Sequence, residues 1–142
     1  MNDVDLPDVN VLVALLQPDH VYHDVAHRWF ANVKRFATTP VTEAGFLRIA
    51  LNPAVMGTRV HLADALASLR SIRSDRRADF LPDDSSLVKA SIDLVGLIGH
   101  KQITDLHLVN LAAAHNARLV TLDTRIRPVL VPTDHAYVVV LN

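Results

Sequence analysis

The sequence contains no cysteine, which excludes disulfide frameworks, thiolate zinc sites and cysteine nucleophiles together. It has no run of roughly 18 or more consecutive apolar residues, so no membrane-spanning helix is expected. Its opening, MNDVDLPDVN, holds three acids and neither a basic region nor a long apolar stretch, and so does not read as a signal peptide. A cytoplasmic protein is the expectation. A dominant charge is missing too. Lys and Arg number 14 against 15 Asp and Glu, a net charge of −1, so no global field draws the chain to a polyanion. Any nucleic acid must be held by a local basic patch or through metal ions. Repeats, low-complexity segments and linkers are absent. Glutamate is almost absent: 14 of the acids are Asp, and Glu43 is the exception. Either that position needs the longer arm or codon usage chose it.

What is present fits a single domain spanning residues 1–142. Half of the chain is apolar and a fifth is charged, the balance of a folded protein with one hydrophobic core. Short strand-like runs alternate with longer helix-like ones, the signature of an α/β sheet with crossover helices. Strands are expected at 5–9, 36–40, 78–81, 118–122 and 137–141. Helices are expected at 11–16, from after Asp19 to about 33, at 43–51 behind Thr42, at 60–72, at 86–98 and at 105–115 behind Thr104.

The acids fall at matching ends of these elements. Asp8 lies at the carboxyl end of the first strand, and Asp123 directly follows the strand RLVTL. Glu43 and Asp105 each open a helix. In parallel α/β sheets ligands bind outside the carboxyl ends of the strands, where the strand order reverses. Four carboxylates crowded there repel one another unless a cation compensates. Mg²⁺ or Mn²⁺ does so through oxygen ligands, and can then orient a phosphodiester and activate a water. The helix starts at Glu43 and Asp105 also favour anions. The plainer reading is that Glu43 and Asp105 complement helix dipoles, while Asp8 and Asp123 end strands as turn residues. Taken singly each acid fits the plainer reading; four at matching ends strengthen the metal site.

Other groupings carry less. His23 and His27 share a helix face near His20, but Asp24 stands where a zinc protease needs Glu. Asp3-Val4-Asp5 mimics the aspartyl pair of haloacid-dehalogenase-like phosphatases without a hydrophobic strand before it. The arginines 70, 73, 76 and 77, part of a basic set in which 11 of 14 are Arg, read equally as a solvated helix end or an RNA-backbone contact. His107 and His115 share the Asp105 helix; His107 either bears on that acid or is a surface residue.

Leu6-Pro7-Asp8-Val9-Asn10-Val11-Leu12-Val13-Ala14-Leu15 resembles the opening motif of PIN-domain nucleases, and in particular of VapC toxins. Thr42-Glu43-Ala44-Gly45-Phe46-Leu47-Arg48 is similar to their second motif, Thr104-Asp105-Leu106-His107-Leu108 to the third, and Thr121-Leu122-Asp123 to the fourth. Phe80-Leu81-Pro82-Asp83-Asp84 recurs in one VapC branch. The resemblance spans nearly the whole chain. It implies a three-layer α/β/α sandwich around a parallel sheet of about five strands, and endonucleolytic RNA cleavage dependent on Mg²⁺ or Mn²⁺. Asp8, Glu43, Asp105 and Asp123 become catalytic residues. Asp8 and Asp105 would ligate the metal directly, with Glu43 and Asp123 as further ligands or bound through water. Asn10 and Thr121 would orient carboxylates or waters, and Arg48 would contact phosphate or hold Glu43. A homodimer, a higher toxin–antitoxin assembly and a VapB antitoxin that sends an Arg into the acidic site are implied as well. Alternatives are a PIN nuclease outside any toxin system and a degenerate PIN domain that only binds. One departure stands out: Thr124-Arg125 follows Asp123 where a second acid is common in the family.

Overall fold

A computed structural model describes residues 3–142; Met1 and Asn2, the start of the N-terminal segment considered above, lie outside the described residues. Five strands, β1 (Val4–Pro7), β2 (Phe36–Thr38), β3 (Ala78–Phe80), β4 (Ala117–Thr121) and β5 (Val138–Val140), form an all-parallel sheet in the order β3-β2-β1-β4-β5. The α-helices are α1 (Val9–Leu16), α2 (His23–Asn32), α3 (Pro40–Ala50), α4 (Pro53–Met56), α5 (Leu62–Arg73) and α6 (Ile103–Ala114). The chain builds outward from β1 to β3, then returns past β1 to lay down β4. The strand order therefore reverses between β1 and β4, and the crevice of such a sheet opens there.

Strand alternation divides the core into two layers. Phe36 and Val120 pack with α1, α2, α3 and α5 through Leu12, Phe46, Leu69 and Ile72. Leu6, Ala117 and Leu119 face the opposite layer, against Leu108, Val109 and Leu111 of α6. This is the expected α/β/α sandwich, and the five expected strands are all present. No helix among the described residues is long and apolar enough to cross a membrane.

Two expected caps move. Helix α3 starts at Pro40, which suits a first helical position, and the Thr42 hydroxyl reaches back to the Thr39 N–H at 3.2 Å. Helix α6 starts at Ile103, which leaves Thr104 inside the first turn.

The helix expected at 86–98 does not form. Only Leu87–Lys89 makes a single 3₁₀ turn, and the rest is held irregular by tertiary partners. Asn110, in the middle of α6 and 1% exposed, accepts from the Ser91 N–H at 2.7 Å and donates to the Ser86 carbonyl at 3.3 Å. Asp134 accepts from the Asp93 N–H at 2.8 Å. Gly96 presses against the Val129 carbonyl so closely that a Cβ would sit 2.1 Å from its oxygen. Val88, Val95 and Ile98, which have helical spacing, point into solvent at 98%, 77% and 95% exposure. Buried side chains, not local propensity, hold this stretch.

The arginine run resolves unevenly. Arg77 donates to both oxygens of Asp75 and to the carbonyls of Phe30 and Val33, and it stacks over the Phe30 ring at 4.5 Å. It tethers the end of α2 to the start of β3, a structural role; Arg70 and Arg76 are exposed.

Because Asn110 serves two backbone groups from a fully buried position, Asn110→Ala should lower unfolding stability by about 2–3 kcal/mol. Urea denaturation checks this, and a loss under 1 kcal/mol would mean that the 86–98 segment is held by other contacts.

Candidate active site

Residues β1 and β4 lie side by side with Pro7 opposite Val120, and the Asp8 N–H continues the ladder to the Val120 carbonyl at 2.8 Å. This register puts Asp8 beside Thr121. Asp8 is the N-cap of α1: its Oδ1 accepts from the Val9 N–H at 2.8 Å, and its Oδ2 accepts from the Thr121 hydroxyl at 2.8 Å. Thr121 Oγ1 in turn accepts from Asn10 Nδ2 at 3.2 Å and from the Asp123 N–H at 3.1 Å. Asn10 Oδ1 takes the Leu122 N–H at 3.2 Å. One threonine hydroxyl thus ties together the ends of both strands and three polar residues. Thr121 donates to the Asp8 carboxylate, and Asn10 donates to Thr121.

The same alternation that turns Leu6 toward α6 leads to Asp8 and Thr121. Asp105, in the first turn of α6, meets them there. Asp8 and Asp105 line a cleft of about 590 Å³ between α3 and the start of α6, with Val41, Ala44, Arg48 and Thr104 among its walls. Gly45 allows this approach, since a Cβ there would lie 2.5 Å from a Val9 methyl.

The electrostatics are those of a site short of positive charge. Burial pushes the Asp8 carboxyl above its ordinary range against the pull of the Thr121 and Val9 hydrogen bonds, and the Asp123 charge adds to the rise. Asp105 is pushed up to about 6, first by burial and then by the charges of Asp8 and Asp123. Asp123 goes the other way, held below the usual carboxylate range by the Arg125 guanidinium. Arg125 binds both Asp123 oxygens at 2.9 Å, and its N–H reaches Oδ1 at 2.8 Å. Among the described residues, no three His, Asp or Glu side chains are already closed around one point.

Glu43 does not join this group. Its Oε2 accepts from the Thr38 hydroxyl at 2.6 Å and lies 3.6 Å from Arg73 Nε. Thr38 shares a strand face with Phe36, in the layer opposite α6. At about 100° per residue, Glu43 is turned about 160° around α3 from Gly45, which lines the cleft. Arg73 also stacks over Phe80 at 4.6 Å, so Glu43 links β2, β3 and α5. Arg48 lines the cleft and is not in contact with Glu43.

The other candidates settle outside the site. His23 bonds the Ala14 carbonyl at 2.9 Å and stands 5.9 Å from the His27 ring. Asp5 is buried on the α2 side, where it receives the Trp29 indole and Arg118, a structural ion pair far from a phosphatase nucleophile. His107 and His115 take Asp83 and Asp84 at 2.6 Å each, which fastens the Pro82-Asp83-Asp84 loop along α6. Sequence reasoning noted Arg125 only as a departure; its two-residue spacing from Asp123, which favours a local turn pair, was the available signal.

Asp8, Asp105 and Asp123, two of them with raised pKa, thus lie near the switch point of a parallel sheet, where such sheets bind ligands. A model of the PIN domain matches residues 6–129, and the chain belongs to the PIN-domain family, within its VapC group. It is 45% identical over 121 residues to Ribonuclease VapC39 of Mycobacterium tuberculosis, covering 83% of this chain and 87% of that protein. Ribonuclease VapC38 of the same organism is 43% identical over 83% of this chain and 84% of its own length. Ribonuclease VapC29 is 34% identical over 90% and 96%.

The raised pKa of Asp105 makes a signed prediction for the metal-free protein. An acid whose folded pKa lies above its unfolded 3.8 favours folding below 3.8, and that contribution is lost as pH rises through about 6. Asp105→Asn should therefore melt above wild type at pH 7.5, with the gap closing by pH 4. An unchanged gap across that range would show that Asp105 ionises normally.

Proposed function

We propose that this chain is the endoribonuclease toxin of a VapBC-type toxin–antitoxin pair, acting in the cytoplasm as a single PIN domain and dependent on Mg²⁺ or Mn²⁺. The observation that carries this reading is that Asp8 and Asp123 both bond Thr121 while the charges of both bear on Asp105, in a chain whose relatives are named ribonucleases. The donor set fits a hard cation: all-oxygen, anionic and electrostatically unsatisfied, with room in the cleft for the waters that Mg²⁺ retains. Asp8 and Asp105 would hold the ion, with Asp123 as the further ligand. When bound, Mg²⁺ or Mn²⁺ supplies the positive charge that polarises a phosphodiester and acidifies an attacking water.

The protein's own groups do the rest. Thr121 and the Val9 N–H fix the Asp8 carboxylate, while Asn10 fixes Thr121. Arg48, on the cleft wall, offers a guanidinium to an RNA phosphate. A net charge of −1 gives no long-range pull on RNA, so affinity has to come from such local contacts and from the ion. Glu43 acts as a tie between strands and α5 and supports the site without touching it. The acidic cleft also suits inhibition by a VapB antitoxin Arg, and the toxin would work as a homodimer within a larger complex.

Purified wild type should cleave RNA with Mg²⁺ or Mn²⁺ and lose cleavage in EDTA. Asp8→Asn and Asp105→Asn should each cut at least about 100-fold more slowly, and Thr121→Val about 10–100-fold more slowly, as a group that orients a ligand. Glu43→Gln should keep more activity than any of these and instead lower the melting temperature. Undiminished cutting by Asp8→Asn would remove the site assignment. Growth arrest only when the chain is expressed without its upstream neighbour would support the toxin context; arrest in neither case would favour a PIN nuclease outside a toxin pair.

A further inference from the structure

Asp123 is the one acid of the three that already holds a cation. Arg125 places Nε on Oδ1 and Nη2 on Oδ2, both at 2.9 Å, and its backbone N–H adds a third bond to Oδ1 at 2.8 Å. A carboxylate has about four lone-pair sites, so these bonds leave Asp123 with little free to give. The partners of Asp8, by contrast, are a neutral hydroxyl and a backbone amide. The Arg125 side chain is 84% exposed and that of Asp123 18% exposed. The fork therefore holds a mostly buried carboxylate while its own stem lies in solvent.

We propose that Arg125 is an internal counter-ion that occupies Asp123 in the metal-free protein and must be displaced before Asp123 can join the ligands of a divalent cation. This rests on the metal-site reading above. The fork and a metal ion use the same oxygen lone pairs, so they exclude one another at this carboxylate. Solvent-exposed ion pairs of this kind are weak. The contact thus tunes metal affinity rather than blocking it. Arg125 is a positioning residue for Asp123, not a ligand.

The test is Mn²⁺ binding, measured by isothermal titration calorimetry on the intact protein without RNA. Arg125→Ala should bind Mn²⁺ about two- to fivefold more tightly than wild type, the range that a weak exposed ion pair allows. Arg125→Lys, which keeps the charge but loses the fork, should fall on the Arg125→Ala side. In an Asp123→Asn background the gain from Arg125→Ala should disappear, because the carboxylate competed for is gone. Unchanged or weaker binding by Arg125→Ala overturns the proposal, as does a gain that persists undiminished with Asn at position 123, which would mark a general charge effect. If neither wild type nor Arg125→Ala binds Mn²⁺ while both melt normally, the metal-site reading itself falls. Since Arg125 is exposed at the end of a turn, the variants should fold, and circular dichroism melts check that they do.

Discussion

A carboxylate that is 6% exposed persists only if its oxygens are served, and Asp8 is served by its own helix and by Thr121. The Thr121-to-Asp8 hydrogen bond crosses from the end of β4 to the end of β1, the one place where two adjacent strands send their chains in opposite directions. Helix α1 starts from Asp8, Asn10 braces the threonine from the first turn of that helix, and the Asp123 N–H closes on the same hydroxyl. The Asp8 N–H to Val120 carbonyl bond and the Leu122 N–H to Asn10 bond join the same strand ends, and the threonine hydroxyl adds the link that fixes the Asp8 carboxylate itself. The site is thus a by-product of parallel pairing between β1 and β4, sharpened by a single hydroxyl.

Much of that was legible in the residues. A strand ending in Pro7-Asp8 and another ending in Thr121-Leu122-Asp123 announce acids at carboxyl ends, because short apolar runs with turn residues after them mark strands whatever their partners. The order of the strands is not written in any local pattern, yet the chemistry depends on β1 and β4 being neighbours. The segment at 86–98 shows the limit from the other side. Its apolar spacing favours a helix, but Asn110 and Asp134, both distant in sequence, take its backbone groups, and Gly96 is packed against the Val129 carbonyl. Propensity is a weak prior when buried polar partners compete for the same amides.

Glu43 illustrates a subtler failure. Its position in the first turn of a helix is legible in the sequence, but helix position does not specify helix face. Two residues along α3 separate a side chain that looks into the cleft from one that looks at the opposite layer. The cleft face of α3 carries Val41, Ala44, Gly45 and Arg48, and Gly45 permits the close approach of α3 to Val9. The need for a long acidic arm at 43 survives in altered form: Oε2 has to reach both the Thr38 hydroxyl and Arg73, a span that suits Glu better than Asp.

Asp8, Asp105 and Asp123 have unequal surroundings. Asp105 is harder to ionise than an ordinary carboxyl because it is desolvated and faces two other acids. Asp123 stays ionised because Arg125 compensates it. An acid at position 125, in place of the arginine, would add repulsion to acids whose charges already oppose one another. Arg125 instead lets the protein keep Asp8, Asp105 and Asp123 close together without a bound ion, at the cost of a contact that any cation arriving at Asp123 has to break. The residue that looked like a departure from the family pattern is, on this argument, the one that makes the crowding tolerable.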